Sequence, residues 1–241
     1  MSTVSIVWGA ACDVCSDECS CIIGHAFVMI TKQDKYKIIF LRHAESIGNA
    51  EGYFQGQEDF PLTERGRAQV KALIARWQTE GRTFDHIIAS PLSRTRETAE
   101  GIANMLGMEV EYDPIWMERH NGVVSGLKHE VAHERFPLPD FRNPYVKFAE
   151  NGEGDWELYL RAGQALQRLL AREPGRYLIV SHGGLLNQTL KAIVGVVPHA
   201  NYQGPQFRFG NTAFATVTYF ANSHRWYIDG LNDRNHWRDD D

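Results

Sequence analysis

The sequence lacks any uninterrupted apolar run long enough to span a membrane, and it contains no internal repeat and no low-complexity tract. It has no lysine or arginine before Lys32, so we expect no secretory signal with a basic amino-terminal region. The formal net charge of −5 argues against a general nucleic-acid or membrane-surface binder, but not against a local basic pocket. These absences favour a cytoplasmic protein that binds neither membranes nor nucleic acids.

Cysteine is absent after position 21, and all four cysteines fall in one short segment, at Cys12, Cys15, Cys19 and Cys21. Four thiolates could bind zinc or an iron–sulfur cluster. However, a structural zinc site usually has two ligand pairs separated by a longer loop, and disulfides are disfavoured in a reducing compartment. We therefore interpret residues 1–35 as a cysteine-containing N-terminal extension without a metal, and a translation start at Met29 is an alternative.

What is present is the pattern of an α/β protein. Short apolar or β-branched runs predict strands at 37–42, 84–90, 109–112, 177–180, 212–220 and 226–228. Apolar residues at helical spacing predict helices at 63–81, 90–107, 156–171 and from 183 onwards. For the second helix, Ser90 is the expected N-cap and Pro91 the first helical residue.

The order of these elements predicts one main domain over residues 36–231. Alternating strands and helices favour a three-layer α/β/α fold with a mainly parallel central sheet, and the last two strands are expected to form an antiparallel edge. Residues 113–155 contain four prolines and five aromatic residues, so we interpret them as a lid or insert. The polar tail, 232–241, is expected to be mobile.

Polar groups follow three of the predicted strands. They are Arg42-His43, then Ser90-Pro91-Leu92-Ser93-Arg94, and then Ser181-His182-Gly183-Gly184. Parallel strands bring their carboxyl ends to one edge of a sheet, where such folds bind ligands. Two guanidinium groups, two imidazoles and the amino ends of two helices at that edge would form an anion site.

These stretches resemble the motifs of the histidine phosphatase superfamily, the phosphoglycerate mutase-like family. The similarity also includes Glu45-Ser46, Asn49, residues 61–66 and Thr98-Ala99, and it extends over about 36–220. The resemblance implies a phosphoglycerate mutase-like fold and an enzyme that needs no metal or other cofactor. His43 would be the nucleophile and Glu118 the general acid and base.

The resemblance also implies the groups that hold the substrate. Arg42, Arg94 and His182 would bind the transferring phosphoryl group, and the two cationic side chains would keep His43 neutral. Further contacts to the phosphate or the substrate are expected from Asn49, Gly56, Arg119 and Gly183. The partner would be a small phosphorylated molecule, and the protein would be a monomer or homodimer.

Two departures from the mutase branch favour a phosphatase. Asn121 and His129 stand where mutases have tyrosine and lysine, and the 64 residues from Glu118 to His182 are too few for the mutases' long insertion. We therefore expect a metal-independent phosphomonoesterase of the histidine acid type that acts through a phosphohistidine. Phosphoglycerate mutase-type transfer that depends on a bisphosphoglycerate is one alternative. A non-catalytic module that binds a phosphorylated ligand is another.

A different motif lies in the lid. His129-Glu130-Val131-Ala132-His133 matches H-E-x-x-H, which on a helix would present two zinc ligands and a general base. Pro137 would end such a helix early, and no third ligand is evident, so the preferred interpretation is a short polar helix beside the substrate. Aromatic residues of the lid together with His129, His133 and Arg142 would select the substrate.

Overall fold

The computed structural model describes residues 34–238, and the cysteine-containing extension expected at 1–35 therefore lies almost entirely outside the described residues. The six strands are β1 (Lys35–Arg42), β2 (His86–Ala89), β3 (Glu111–Tyr112), β4 (Arg176–Ser181), β5 (Phe214–Phe220) and β6 (Arg225–Asp233). The α-helices are α1 (Ile47–Ala50), α2 (Glu64–Thr79), α3 (Ser93–Leu106), α4 (His129–Arg135), α5 (Asp155–Leu170) and α6 (Gly183–Val194).

The strands form one sheet in the order β3-β2-β4-β1-β5-β6. β1, β2, β3 and β4 pair in parallel, whereas β5 and β6 add an antiparallel edge beside β1. This arrangement confirms the mainly parallel sheet and the antiparallel edge expected from the sequence. It follows from the helices that connect the parallel strands and the short turn that joins β5 to β6.

Two helical layers cover the sheet and create a core on each face. Alternate residues of β1 point to opposite faces, so Ile38 and Phe40 pack with α5 and α6 while Ile39 and Leu41 pack with α2 and α3. Both cores contain large side chains that are almost fully buried, including Trp77 on the second face. The fold is therefore the expected three-layer α/β/α architecture.

The helix boundaries are set locally, and one expected boundary is wrong. Thr63 caps α2 as expected, because its hydroxyl accepts the N–H of Gly66 at 2.9 Å. In α3, by contrast, Leu92 occupies the N-cap position and the helix begins at Ser93, so Ser90 is not the N-cap and Pro91 is not the first helical residue. The hydroxyl of Ser90 is instead directed to a side chain of a neighbouring strand end.

Two short helices lie between the longer predicted elements. α1 lies between β1 and α2, and α4 lies within the 113–155 insert, which also contains 3-10 turns at Pro114–Trp116 and Gly122–Val124. β6 continues to Asp233, past the expected start of the tail at 232, because Asp233 still pairs with Phe214 of β5. Arg76 also forms a bidentate ion pair with Asp233. Among residues 34–238, no helix has the length and apolarity required to cross a bilayer.

Candidate active site

Three strand ends meet at one edge of the sheet, as expected. Arg42 at the end of β1 is in register with Ser181 at the end of β4, and Val180 of β4 is in register with Ala89 of β2. His43, Ser90 and His182 each follow one of these aligned residues. The ring centroids of His43 and His182 are consequently only 5.1 Å apart.

The imidazole of His43 is buried and oriented by its own backbone. Its Nδ1 lies 2.7 Å from the carbonyl oxygen of Ala44, which can only accept a hydrogen bond, so Nδ1 carries the proton and Nε2 keeps a lone pair. Burial lowers the pKa of His43 well below its usual value, and the nearby charges of Arg94 and Arg42 lower it further. The ring is therefore a neutral base with one available nitrogen.

Two arginines flank this imidazole. Arg42 donates from Nη1 to the carbonyl of Phe209 at 2.7 Å, and Arg94 donates to the carbonyls of Glu58 and Gly56 at 2.8 and 2.7 Å. Burial lowers the pKa of Arg94 to about 10 and that of Arg42 in the same direction, but both groups stay cationic at neutral pH. Backbone carbonyls thus fix both guanidinium groups beside His43.

Several buried donors of this site have no hydrogen-bond partner within the described part of the chain. They are Arg42 Nε, Arg94 Nε, Arg119 Nη1 and His182 Nδ1. Buried polar atoms are nearly always paired in folded proteins, so a group of unpaired donors around cationic side chains is typical of a site that binds an anion.

Glu118 lies at the amino end of α6. Its carboxylate accepts the backbone N–H groups of Gly184 at 2.9 Å, Leu185 at 3.1 Å and Arg119 at 2.9 Å. The helix dipole and the free N–H groups of the first turn favour a carboxylate at this position. This geometry explains Gly184, because a Cβ there would lie 2.5 Å from Glu118 Oε1.

The loop that carries Glu118 is fixed by a residue that the sequence did not single out. Arg161 of α5 donates to the carbonyls of Ile115, Met117 and Glu118 and forms an ion pair with Glu153 at 2.7 Å. No motif identifies Arg161, since its partners are far from it in sequence. The sequence offered one sign of its role, which is an arginine on the inner face of a predicted helix.

The remaining expected residues also come together. One cavity of about 330 Å³ is lined by Arg42, His43, Asn49, Gly56, Arg94, Glu118 and Arg119, among others. Gly183 does not line this cavity. It lies against Arg42, because a Cβ added at Gly183 would be 3.6 Å from Arg42 Nε. Asn49 Oδ1 accepts a hydrogen bond from Asn211 Nδ2 at 3.1 Å, and the sequence did not single out Asn211. It also did not single out five polar residues of the cavity wall, namely Gln55, Asn187, Gln188, Tyr202 and Gln206.

Arg119 is held by a buried carboxylate that was also missed. Asp155 is only 4% exposed, and it accepts from Arg119 at 2.5 Å and from Arg142 at 3.0 Å. Two guanidinium groups therefore share one carboxylate, and of these three side chains only Arg119 lines the cavity of about 330 Å³.

The lid contains a second, apolar cavity of about 380 Å³. Phe54 and Phe148 line both cavities, so the two spaces share a wall. The H-E-x-x-H motif forms α4, which ends at Arg135 before Pro137, and the rings of His129 and His133 pack on Phe54 at 4.5 and 5.7 Å. Within residues 34–238, no three His, Cys, Asp or Glu side chains are grouped so that they could hold a metal ion.

Comparisons with known proteins agree on one family. The sequence model described as the histidine phosphatase superfamily (branch 1) matches residues 38–234. The chain is 32% identical over 210 residues to the "Probable phosphoglycerate mutase GpmB" of Yersinia enterocolitica, with 83% of this chain and 94% of that protein covered. Its identity to the protein of the same name from Photorhabdus laumondii is 34% over 209 residues, with the same coverage.

Solved structures give the same fold. Mycobacterial glucosyl-3-phosphoglycerate phosphatase, solved with VO3, is 26% identical with a TM-score of 0.67, and the match covers 82% of this chain and 98% of that one. YhfR of Bacillus stearothermophilus has a TM-score of 0.70 at 24% identity, over 83% of this chain and 98% of that one.

Proposed function

The chain belongs to the histidine phosphatase superfamily, and we propose that it hydrolyses phosphomonoesters of small molecules through a phosphohistidine on His43. The observation that carries this proposal is the state of the His43 ring. Its Nδ1 proton is donated to Ala44, its Nε2 has a lone pair, and two arginines lie beside it. Attack on phosphorus requires a neutral imidazole beside cationic side chains that bind the phosphoryl oxygens.

In the first step, the lone pair of His43 Nε2 attacks phosphorus while the bond to the ester oxygen breaks. Arg42 and Arg94 stabilise the charge on the phosphoryl oxygens, and their positions are set in advance by backbone carbonyls. The leaving oxygen takes a proton from Glu118 in its protonated form. The products of this step are a free alcohol and phosphorylated His43.

In the second step, water attacks the phosphohistidine. Glu118 accepts a proton from the water, the P–N bond breaks, and its electron pair returns to Nε2. Inorganic phosphate leaves, and Glu118 is protonated again. Every group required for this cycle lies in or against one cavity of about 330 Å³, which suits a small phosphorylated substrate.

Phosphoglycerate mutase activity is the second candidate, because the GpmB relatives carry that name at 32% and 34% identity. A mutase returns the phosphoryl group from His43 to a hydroxyl of the substrate, whereas a phosphatase transfers it to water. The purified protein should therefore be tested on a panel of phosphomonoesters with and without 2,3-bisphosphoglycerate. Release of inorganic phosphate without the bisphosphate supports the phosphatase, and interconversion of phosphoglycerates that requires it supports the mutase.

His43→Ala tests the nucleophile in either case. We expect turnover of a phosphomonoester to fall on the order of 10⁴-fold or more, because alanine lacks the ring nitrogen on which the covalent intermediate would form. Phosphate release measures this, and circular dichroism checks the fold. His199→Ala is the matched control, since His199 is exposed and does not line this cavity. Substantial residual turnover in His43→Ala would show that the assignment is wrong.

A further inference from the structure

We propose that Ser90 is a positioning residue that fixes the tautomer of His182, so that this imidazole presents Nδ1–H to the transferring phosphoryl group. The inference rests on the proposed function and adds a role for a residue outside the acid–nucleophile–cation set. Ser90 and His182 are both fully buried, and Ser90 Oγ lies 2.8 Å from His182 Nε2. The two residues are 92 positions apart in the sequence and meet because their strands are neighbours.

The direction of this hydrogen bond follows from the hydroxyl group. Ser90 Oγ already accepts the backbone N–H of Leu92 at 3.4 Å, and its own hydrogen needs an acceptor in a buried environment. His182 Nε2 is the acceptor that the structure places within reach. Ser90 therefore donates, Nε2 is unprotonated, and the single proton of the neutral ring is on Nδ1.

The environment of His182 keeps that ring neutral. Burial lowers the pKa of His182 well below its usual value, and the charge of Arg94 lowers it further. A neutral ring has one proton, so the partner of one nitrogen decides what the other nitrogen can do. Without Ser90, the proton could move to Nε2, and Nδ1 would then turn a lone pair towards the anion site.

The other nitrogen has no partner of its own, and its ring lies next to His43 of the cavity wall, although His182 does not itself line that cavity. His182 Nδ1 is buried and makes no hydrogen bond within residues 34–238, and its ring packs beside that of His43. A neutral N–H donor held in a desolvated site stabilises developing charge on a phosphoryl oxygen with little reorganisation. Ser90 thereby acts on the reaction through His182 and does not touch the substrate itself.

The alternative role, capping of α3, has little support in the geometry. Leu92 is the N-cap residue and has no side-chain cap, and the contact from the Leu92 N–H to Ser90 is long at 3.4 Å. The shorter bond of the hydroxyl is the one to His182. Ser93 offers a matched control, because its hydroxyl lies in the first turn of the same helix and has no hydrogen-bond partner among residues 34–238.

A double-mutant cycle tests the coupling. We expect Ser90→Ala to lower kcat about tenfold in the wild-type background and less than about twofold in a His182→Ala background, because the hydroxyl then has no ring to orient. Ser93→Ala should leave kcat unchanged. An equal loss from Ser90→Ala in both backgrounds would show a merely structural role and overturn the proposal.

Nitrogen-15 NMR of the histidine rings tests the tautomer without any turnover. In wild-type protein, His182 should show a protonated Nδ1 and an unprotonated Nε2, with its signals identified by their loss in His182→Ala. A proton on Nε2 would overturn the proposal. Failure of the proposed function is separable, because it would appear as absent phosphate release from every phosphomonoester while the NMR result still stands.

Discussion

At the scale of single residues, the site depends on tuning two histidines to be neutral. His43 donates to Ala44 and His182 accepts from Ser90, so on each ring one nitrogen is hydrogen-bonded to the protein and the other is left without such a bond among residues 34–238. Burial and adjacent arginines disfavour a second proton on either ring. One ring is left with a lone pair suited to attack, and the other with an N–H suited to binding.

Glu118 supports a test that depends on the leaving group. We expect Glu118→Gln to lower kcat/KM for alkyl phosphates by about 10²-fold or more, because an alkoxide needs a proton as it leaves. Phosphate esters of acidic phenols should lose much less, since a phenolate leaves without protonation. The measurement is kcat/KM across a series of leaving groups.

Glutamine keeps one oxygen, which can still accept from the amides of Leu185 and Arg119, whereas the amide of Gly184, which bonds to the other oxygen, loses its acceptor. The loop position should persist in this variant because Arg161 still donates to the carbonyl of Glu118. The matched control is Glu130→Gln on the exposed side of α4, which should leave the dependence on the leaving group unchanged. Equal losses for alkyl and aryl esters in Glu118→Gln would contradict a role as general acid.

At the scale of elements, the amino end of α6 follows β4 directly and binds the carboxylate of Glu118 through its backbone N–H groups. Gly184→Ala would place a Cβ 2.5 Å from Glu118 Oε1 and force the carboxylate away from its backbone donors. We expect the same loss of kcat/KM for alkyl phosphates as in Glu118→Gln. Kinetics on the same leaving-group series measures this effect.

Gly163 is the matched control for that prediction. It lies inside α5, and a Cβ there would meet no atom within 4 Å. Gly163→Ala should keep full activity and raise the free energy of unfolding by roughly 1 kcal/mol, because alanine favours the helix. Full activity in Gly184→Ala would show that the position of Glu118 at the helix end is not needed.

In the lid, the sequence predicted a short helix but not how the segment packs. A short helix at His129–Arg135, stopped before Pro137, agrees with the interpretation of the H-E-x-x-H motif as a flanking helix. The cavity beneath it, and the wall of Phe54 and Phe148 that it shares with the cavity of the candidate active site, were not predicted. Pro- and aromatic-rich segments have no periodicity, so their packing cannot be read from spacing.

At the scale of the whole molecule, buried neutral histidines make stability depend on pH. In the unfolded chain histidine titrates near pH 6.5, whereas the folded pKa values of His43 and His182 lie well below this. Below about pH 6.5 the unfolded state therefore binds more protons, and the free energy of unfolding falls with falling pH until the folded pKa values are reached. Burial also lowers the pKa of His236, to about 4.

We expect the free energy of unfolding to fall between pH 6.5 and 5, by up to about 1.4 kcal/mol per pH unit for each of His43, His182 and His236. Urea unfolding at several pH values measures this slope. His182→Asn should reduce the slope by one histidine's share. A stability that is constant from pH 7.5 to 5 would contradict neutral burial of these rings.

The sequence by itself determined the layers, the mainly parallel sheet and the edge at which the ligand site lies. Strand and helix periodicity is a local property, and a residue directly after a parallel strand has its place fixed by that strand. The positions of Arg42, His43 and His182 could therefore be predicted from the strands that precede them. The convergence of three strand ends could be predicted for the same reason.

Only the tertiary structure decided which distant groups touch. The bonds of Ser90 to His182, of Arg161 to the loop of Glu118, and of Asp155 to two arginines each join different elements. Such contacts depend on strand order, helix placement and side-chain conformation together, so no spacing along the chain encodes them. The motif singled out His43 as the proposed nucleophile, and the packing around it determined its protonation, its neighbours and the space left beside it.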